Sequence, residues 1–434
     1  MNESTITLNA TNLAAARVGA HGIADEEIAQ SEHTLAQLRA RLAAEHAAGQ
    51  HAYLDLPIDD RGLESVLELT QIRLGRFRYL VVLGIGGSAL GLRALVQALG
   101  RPVDHVDLHI VDSTDPWLFA DIVTRIELPQ TLFVVISKSG GTIETVAAMG
   151  FFVERLNAAG LPLRDHLIVV TDPDQGPLRA FADTHCLESA SIPPRVGGRF
   201  SVLSAAGLVP AALLNIDVAG LLRGAAIERK RCLGTDSRGD WAARLGLYAT
   251  QQLQLGKNNL VFMPYSARLR CLADWFVQLW DESLGKECEQ QGRKVSFGQA
   301  VIPATGPTDQ HAQLQLFLDG PNDKLLLFVR VMHHEMDVKL GEFDWPQFGA
   351  EFLRGRSLGQ IIDSQWAGTV EACVKRGRAN ATVQLPQVDA ESLGALMMGL
   401  QVATSIAGLA LGVNPYDQPA VELGKRISRR MLGG

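Results

Sequence analysis

The stretch YLVVLGIGGSALG (79–91) decides the fold, because a short β-branched apolar run ends in a glycine-rich turn that opens a helical pattern. The same apolar rhythm returns at LHIVDS (108–113), LFVVIS (132–137) and LIVVTD (167–172), with enough chain between runs for a helix. Near-continuous apolar runs of this kind suit strands buried on both faces, so a parallel sheet flanked by helices is expected. A second series follows a Gly/Asp/Ser-rich break at 234–239: NLVFMP (259–264), VSFGQAVIP (295–303), LLLFVRV (325–331) and ATVQLP (381–386). Leu and Ala at helical spacing from Glu26 to about Gln50 read as an amphipathic helix behind a poorly patterned tail. The fold class is therefore α/β with two doubly wound parallel-sheet domains and flanking helices. Its expected divisions are an N-terminal helical segment (1–55), a first domain (56–230) and a second domain with a C-terminal helix (231–434).

Composition narrows the function before any motif is read. The chain has 434 residues, 47% of them hydrophobic, and a net charge of -7 with no sustained Lys/Arg block. Nucleic acid and anionic membrane are not expected partners, and an anionic ligand must be held by local donors against the field of the whole protein. Five cysteines, an odd count with no CxxC pair, suggest neither a disulfide framework nor zinc, and hence a reducing compartment. The N-terminus lacks a basic start followed by an apolar core, so a cytoplasmic location is expected. Leu393 to Val413 is 21 residues without a charge and carries GxxxG at Gly408 and Gly412. Gln401, Thr404 and Ser405 within it, and no basic cluster beside it, favour a buried core helix over a membrane span.

Two loops carry the chemistry. Gly84, Gly86, Gly87 and Ser88 lie between a strand and a helix, where backbone N–H groups and the helix dipole bind an anion. The spacing Gly84-x-Gly86-x-x-Ala89, with Asp112 after the next strand, also satisfies a loose dinucleotide fingerprint. On this loop alone a nicotinamide enzyme and a plain tight turn both stay open. The second loop, Ser137-Lys138-Ser139-Gly140-Gly141-Thr142, again joins a buried strand to a helix but is rich in hydroxyls, which grip a terminal phosphate. Ser and Thr are also ordinary helix caps, and Glu144 and Thr145 suit that role.

GIGGSALG and SKSGGTIET resemble the paired signatures of sugar-isomerase (SIS) domains, which bind phosphosugars at the carboxyl ends of parallel strands. Four further segments narrow the resemblance: VGGRFSVLSAAGL (196–208), QLWDESLGKE (278–287), GPTDQHAQLQLF (306–317) and NPYDQPAVELGK (414–425). Together, over about 80 to 430, they resemble the phosphoglucose isomerase family in its shorter bacterial form. The resemblance implies aldose–ketose isomerisation of glucose 6-phosphate and fructose 6-phosphate through a cis-enediolate, with no cofactor and no metal.

It also implies roles residue by residue. Glu282 is the base that moves a proton between C1 and C2, Arg199 steadies the enediolate, and His311 and Lys425 open the sugar ring. Ser137, Lys138, Ser139, Thr142 and the backbone at Gly87 and Ser88 would hold phosphate, while Gln278 and Gln418 would line the sugar. The family is dimeric and takes its histidine from the neighbouring subunit, so a homodimer with a shared site is implied. Two positions depart from the pattern: Gly141 stands where the family usually has Thr, and Ala420 where it usually has Gly.

Read without the resemblance, these residues are less telling. Glu282 and Lys286 would be a surface i,i+4 pair, Arg199 and His311 loop residues, and Lys425 an ordinary helix lysine. The run His333-His334-Glu335 invites a metal, but adjacent residues on an extended segment point apart and HExxH is missing. Rival readings are an isomerase that also takes mannose 6-phosphate, a phosphosugar-sensing binding protein, which should lack Glu282, Arg199, His311 and Lys425, and a nicotinamide dehydrogenase.

Overall fold

The computed structural model describes residues 5–100, 106–234 and 240–433. After a short N-terminal strand β1 (Thr7–Asn9), the chain builds β2 (Tyr79–Leu83), β3 (Asp107–Val111), β4 (Thr131–Ile136), β5 (Leu167–Thr171) and β6 (Glu188–Ser191). These last five form one sheet in the order β3-β2-β4-β5-β6, with every neighbouring pair parallel. Strands β2, β4 and β5 are buried along their whole length. Their alternating side chains divide between two cores: Leu80, Val82, Val134 and Ile168 face the central cluster, whereas Val81, Leu83, Val135 and Val169 face an outer one. A strand with no solvent face needs no polar alternation, which is why these runs read as continuous apolar sequence.

The second sheet is made by β7 (Asn259–Pro264), β10 (Ala300–Pro303), β11 (Lys324–Val331) and β12 (Asn380–Leu385), parallel to one another in the order β12-β11-β7-β10. Between β7 and β10 lies a two-stranded hairpin of β8 (Lys286–Cys288) and β9 (Lys294–Phe297). The run VSFGQAVIP, expected as one strand, is split between β9 and β10 at Gly298, whose φ of +156° only glycine adopts readily. The N-terminal tail also has an unexpected place: β1 adds antiparallel to β12, with Leu8 opposite Val383. Three residues pairing across the length of the chain leave no periodic signature in the local sequence. The Gly/Asp/Ser-rich break lies, apart from Gly234, outside the described residues.

One central hydrophobic cluster takes a face of each sheet and joins them, with Val82 and Val134 on one side and Phe262 and Leu327 on the other. The helix Ala390–Leu411 runs through it and is long and apolar enough to cross a membrane, yet 89% of its most apolar window is buried inside the protein. Small residues let neighbours approach it closely. A Cβ at Gly394 would sit 1.9 Å from the Leu221 carbonyl oxygen, and one at Gly399 would sit 2.0 Å from the Trp241 ring. Leu221 belongs to the helix Val218–Leu233, which runs across residue 230, and the helix Asp25–Ala47 adds Leu35, Leu38 and Leu42 to the same cluster.

Two glycine substitutions are therefore expected to act with opposite sign in thermal unfolding. Gly394→Ala forces the helices apart and should cost about 1–3 kcal/mol, lowering the midpoint. Gly150→Ala, in the helix Ile143–Ala158 where an added Cβ meets nothing within 4 Å, should leave the midpoint unchanged or raise it through better helix propensity.

Candidate active site

In an open parallel sheet the ligand crevice opens beyond the carboxyl ends of the two strands at which the strand order reverses. In the first sheet these are β2 and β4, and the two glycine-rich loops follow those two strands. The first loop is shaped by contact. Gly86 has φ +59° and lies against Gln278, where a Cβ would fall 2.9 Å from Nε2. A Cβ at Gly87 would fall 2.0 Å from the Gly198 carbonyl oxygen, so glycine alone lets this loop touch the segment that carries Arg199. Asp112 pairs with Arg93 at 2.8 Å, which commits the carboxylate that a dinucleotide ribose would need.

In the second loop the hydroxyls converge. Ser137 Oγ lies 3.2 Å from Thr142 Oγ1, Ser139 Oγ lies 3.5 Å from the same atom, and Gly140 N–H donates to Ser137 Oγ at 3.1 Å. Thr142 is the N-cap of the helix Ile143–Ala158 but makes no capping bond with its side chain, and the buried Thr145 hydroxyl has no partner. Neither hydroxyl caps the helix: Thr142 Oγ1 bonds the other loop hydroxyls instead, and Thr145 Oγ1 has no partner. Lys138 is half-buried, and burial lowers its ammonium pKa against the opposing pull of Asp172. A Cβ at Gly141 would meet only Pro177 Cγ at 3.9 Å, so the loop geometry does not depend on glycine there.

The helix Arg270–Leu284 buries Leu272, Trp275, Phe276, Leu279 and Trp280 on one face and turns Gln278 and Glu282, one turn apart, to another. Gln278 Nε2 donates to Glu282 Oε2 at 3.1 Å, while Gln278 Oε1 is buried without a partner. The neighbouring Asp281 is pushed up to about 6 by burial, and its Oδ1 accepts the Val301 N–H at 2.9 Å, tying the end of this helix to β10. Lys286 does not form the surface pair that its i,i+4 spacing suggests. Its ammonium is buried and donates to the Glu282 backbone oxygen at 3.2 Å and to Asp417 through both the carbonyl oxygen and Oδ1. The Glu282 carboxylate is left to Gln278 and Arg199.

Arg199 is 4% exposed and draws on segments far apart in sequence. Nε donates to Ser283 Oγ at 2.8 Å, Nη1 to Gln418 Oε1 at 2.9 Å, and Nη2 to the carbonyl oxygens of Pro415 at 2.6 Å and Asp417 at 3.1 Å. Four of the five guanidinium N–H donors are spent on these fixed acceptors. The remaining Nη1 side meets Glu282 Oε1 at 3.6 Å. Burial lowers the Arg199 pKa while Glu282 and Asp417 raise it. Behind Arg199, Gln401 of the central helix donates to the Phe200 carbonyl oxygen at 3.0 Å.

The structure thus brings together Glu282, Arg199, Gln278 and Gln418, with Gly87 against the Arg199 segment. Among the described residues, neither His311 nor Lys425 makes a hydrogen bond or ion pair with that cluster. His311 ends an exposed turn whose preceding residue, Gln310, is anchored to Tyr265 and Thr369. Lys425 pairs with Glu422 at 2.7 Å on the helix Val421–Met431, which has no buried residue. Ala420, at φ -62° and ψ -38°, has ordinary helical geometry and no need of glycine. Sequence reading did not point to Ser283, Lys286 or the carbonyls of Pro415 and Asp417. Ser283 adjoins Glu282 in the same motif, but no side-chain pattern marks a backbone carbonyl as an acceptor.

The HHE run does not converge. Glu335 pairs with Arg268 at 3.2 Å, and His334 lies beside Gly359. Among the described residues no group of three or more His, Cys, Asp and Glu side chains is arranged to hold a metal ion.

With this geometry in hand, comparison with known proteins is informative. Residues 72–433 match the family described as phosphoglucose isomerase. A glucose-6-phosphate isomerase of Rubrobacter xylanophilus is 39% identical over 397 residues, covering 88% of this chain and 89% of that protein. A hypothetical protein of Thermus thermophilus superposes with a TM-score of 0.89 at 36% identity, over 99% of this chain and 100% of that one. A glucose-6-phosphate isomerase structure from Chlamydia trachomatis gives a TM-score of 0.75 at 25% identity, covering 85% of this chain and 73% of that one.

Proposed function

Because the chain belongs to the phosphoglucose isomerase family, we propose that it interconverts glucose 6-phosphate and fructose 6-phosphate by general acid/base proton transfer. The observation that carries the mechanism is the Glu282 carboxylate beside the one face of the buried Arg199 guanidinium not spent on protein acceptors. Glu282 removes the proton from C2 of the open-chain aldose, the electrons form a C1–C2 double bond as the C1 carbonyl electrons move to O1, the O2 hydroxyl proton passes to O1, and the same carboxyl returns its proton to C1 as C2–O2 becomes the ketose carbonyl. Arg199 is held still by its other bonds and stabilises the negative oxygen of the cis-enediolate as it forms. Gln278 keeps Glu282 aimed and offers its free Oε1 to a sugar hydroxyl, and Gln418 lines the same site through Arg199.

The substrate phosphate is assigned to the crevice between the two loops. The hydroxyls of Ser137, Ser139 and Thr142, the Lys138 ammonium and the Gly87 N–H give a local set of donors in an acidic protein, with Ser88 closing the first loop through its N–H on the Ile85 carbonyl oxygen. The reaction moves one proton between C2 and C1 and one between O2 and O1 within a single molecule, with no net oxidation or reduction, so the proposal includes no cofactor or metal. It places the enzyme in the cytoplasm, where its five free cysteines stay reduced.

His311 and Lys425 are assigned to ring opening and closure, and His311 to the site of a partner subunit in a homodimer. Support comes from the surface. The segment after β11 exposes Met336 (85%), Phe352 (72%) and Phe348 (64%), and the helix carrying Lys425 exposes Leu423 and Met431. Exposed apolar side chains of this size are consistent with an interface, and a two-fold pairing would carry an exposed turn on one protomer to the crevice of the other.

The direct test is conversion of fructose 6-phosphate in chelator-treated buffer, coupled to glucose-6-phosphate dehydrogenase, with mannose 6-phosphate assayed in parallel. Glu282→Gln should lower kcat by about a hundredfold to ten-thousandfold with an unchanged circular dichroism spectrum. Near-normal turnover would remove Glu282 from its role. Ser139→Ala combined with Thr142→Ala should chiefly raise KM, since donors to the phosphate act alike in ground and transition states. For the shared site, mixing inactive Glu282→Gln with inactive His311→Ala under subunit exchange should restore part of the activity, because one hybrid site then holds both native residues. Two inactive variants that stay inactive on mixing, with exchange demonstrated, place His311 within its own chain.

A further inference from the structure

The Pro415 and Asp417 carbonyls receive two of the donors of Arg199, so whatever holds the 414–418 loop also aims the guanidinium. Between those two residues stands Tyr416. Its ring packs on Phe200, the neighbour of Arg199, at a centroid distance of 5.1 Å. Its hydroxyl reaches His51 Nδ1 and, at 2.9 Å, Ser405 Oγ of the central helix. His51 is buried, holds a left-handed φ of 52°, and meets Glu45 Oε2 through Nε2 at 3.0 Å. The Glu45 carboxylate can only accept, so the Nε2 proton faces it, and Nδ1 of the neutral ring accepts the Tyr416 hydroxyl proton.

Packing alone does not hold Tyr416. A cavity of about 210 Å³ adjoins it, lined among others by His51, Tyr53, Gly197, Phe200 and Asn414, so the ring and its loop have room to shift. Lys286 on Asp417 and Asn414 on the Tyr416 N–H hold the loop backbone, and the hydroxyl bonds to His51 and Ser405 hold the ring between those points. We infer that His51 and Tyr416 are positioning residues for the isomerisation: the Glu45–His51–Tyr416 chain, begun in the N-terminal helix, fixes the carbonyls that aim Arg199 at the reacting oxygens. The inference rests on the isomerase reading above and adds residues that contact neither Glu282 nor the phosphate loops.

The test is steady-state kinetics on fructose 6-phosphate with the full-length protein. Tyr416→Phe keeps the ring and loses the hydroxyl, and His51→Leu removes the acceptor. Each should lower kcat roughly tenfold with KM changed less than twofold, a partial version of the hundredfold that a 1 Å misplacement costs. His51→Asn tolerates the left-handed backbone and puts an amide oxygen near the position of Nδ1, so it should recover most of the loss. Thr250→Val, which deletes a buried hydroxyl bonded to the Leu247 carbonyl oxygen in another helix, controls for stability and should keep the wild-type kcat. Variants of His51 and Tyr416 with wild-type kcat, or a Thr250→Val loss as large as theirs, would overturn the inference. If Tyr416→Phe does not fold, recovery in His51→Asn relative to His51→Leu decides the matter alone. Wild-type protein without turnover would overturn the isomerase reading and this inference together, whereas an active wild type with unaffected variants overturns this inference alone.

Discussion

A buried guanidinium sets the terms for the rest of this structure. Removing an ion from water costs several kcal/mol unless its donors are met, and Arg199 meets them with Ser283, Gln418 and the carbonyls of Pro415 and Asp417. Those acceptors lie 84 to 219 residues away along the chain. The 198–200 turn, the end of the Glu282 helix and the 414–418 loop must therefore close together or not at all. Lys286 adds a second buried cation on Asp417, so one carbonyl oxygen is shared by two positive groups, one from the 198–200 turn and one from the start of β8. The geometry that satisfies the charge is also the geometry that leaves one guanidinium face beside Glu282.

The central helix serves that arrangement as well as the core. Its apolar length buries the faces of both sheets, while its few polar side chains reach outward to the site: Gln401 to the Phe200 carbonyl and Ser405 to Tyr53 and Tyr416. Such groups are costly to bury without partners, and here each bond holds a segment bearing a site residue. Gly408, where a Cβ would lie 3.1 Å from Pro415 Cγ, lets the 414–418 loop come close to this helix.

Anion recognition follows a different logic. The chain carries a net charge of -7, so attraction for a phosphosugar cannot come from the global field. In the proposed function it is local, drawn from hydroxyls and backbone donors at the crevice where the strand order of the first sheet reverses. Gly86 and Gly87 are needed for this closeness, since side chains there would strike Gln278 and Gly198 and push the first loop off the segments that carry Gln278 and Arg199.

Much of this was legible in the amino-acid order alone. Buried parallel strands announce themselves because both faces are apolar, and the two strand-to-helix loops because Gly, Ser and Thr gather there. The motifs around Glu282, Arg199, His311 and Lys425 pointed to the family through their resemblance. Other features had no local signal. The strand β1, the split at Gly298, the burial of Lys286 and the use of Pro415 and Asp417 carbonyls depend on partners far away in sequence. Periodicity reports which face of an element is apolar, a property each residue carries with it. Which distant carbonyl meets a buried cation is settled only when the sheets and the central helix pack, because hydrogen-bond partners are chosen by position in space.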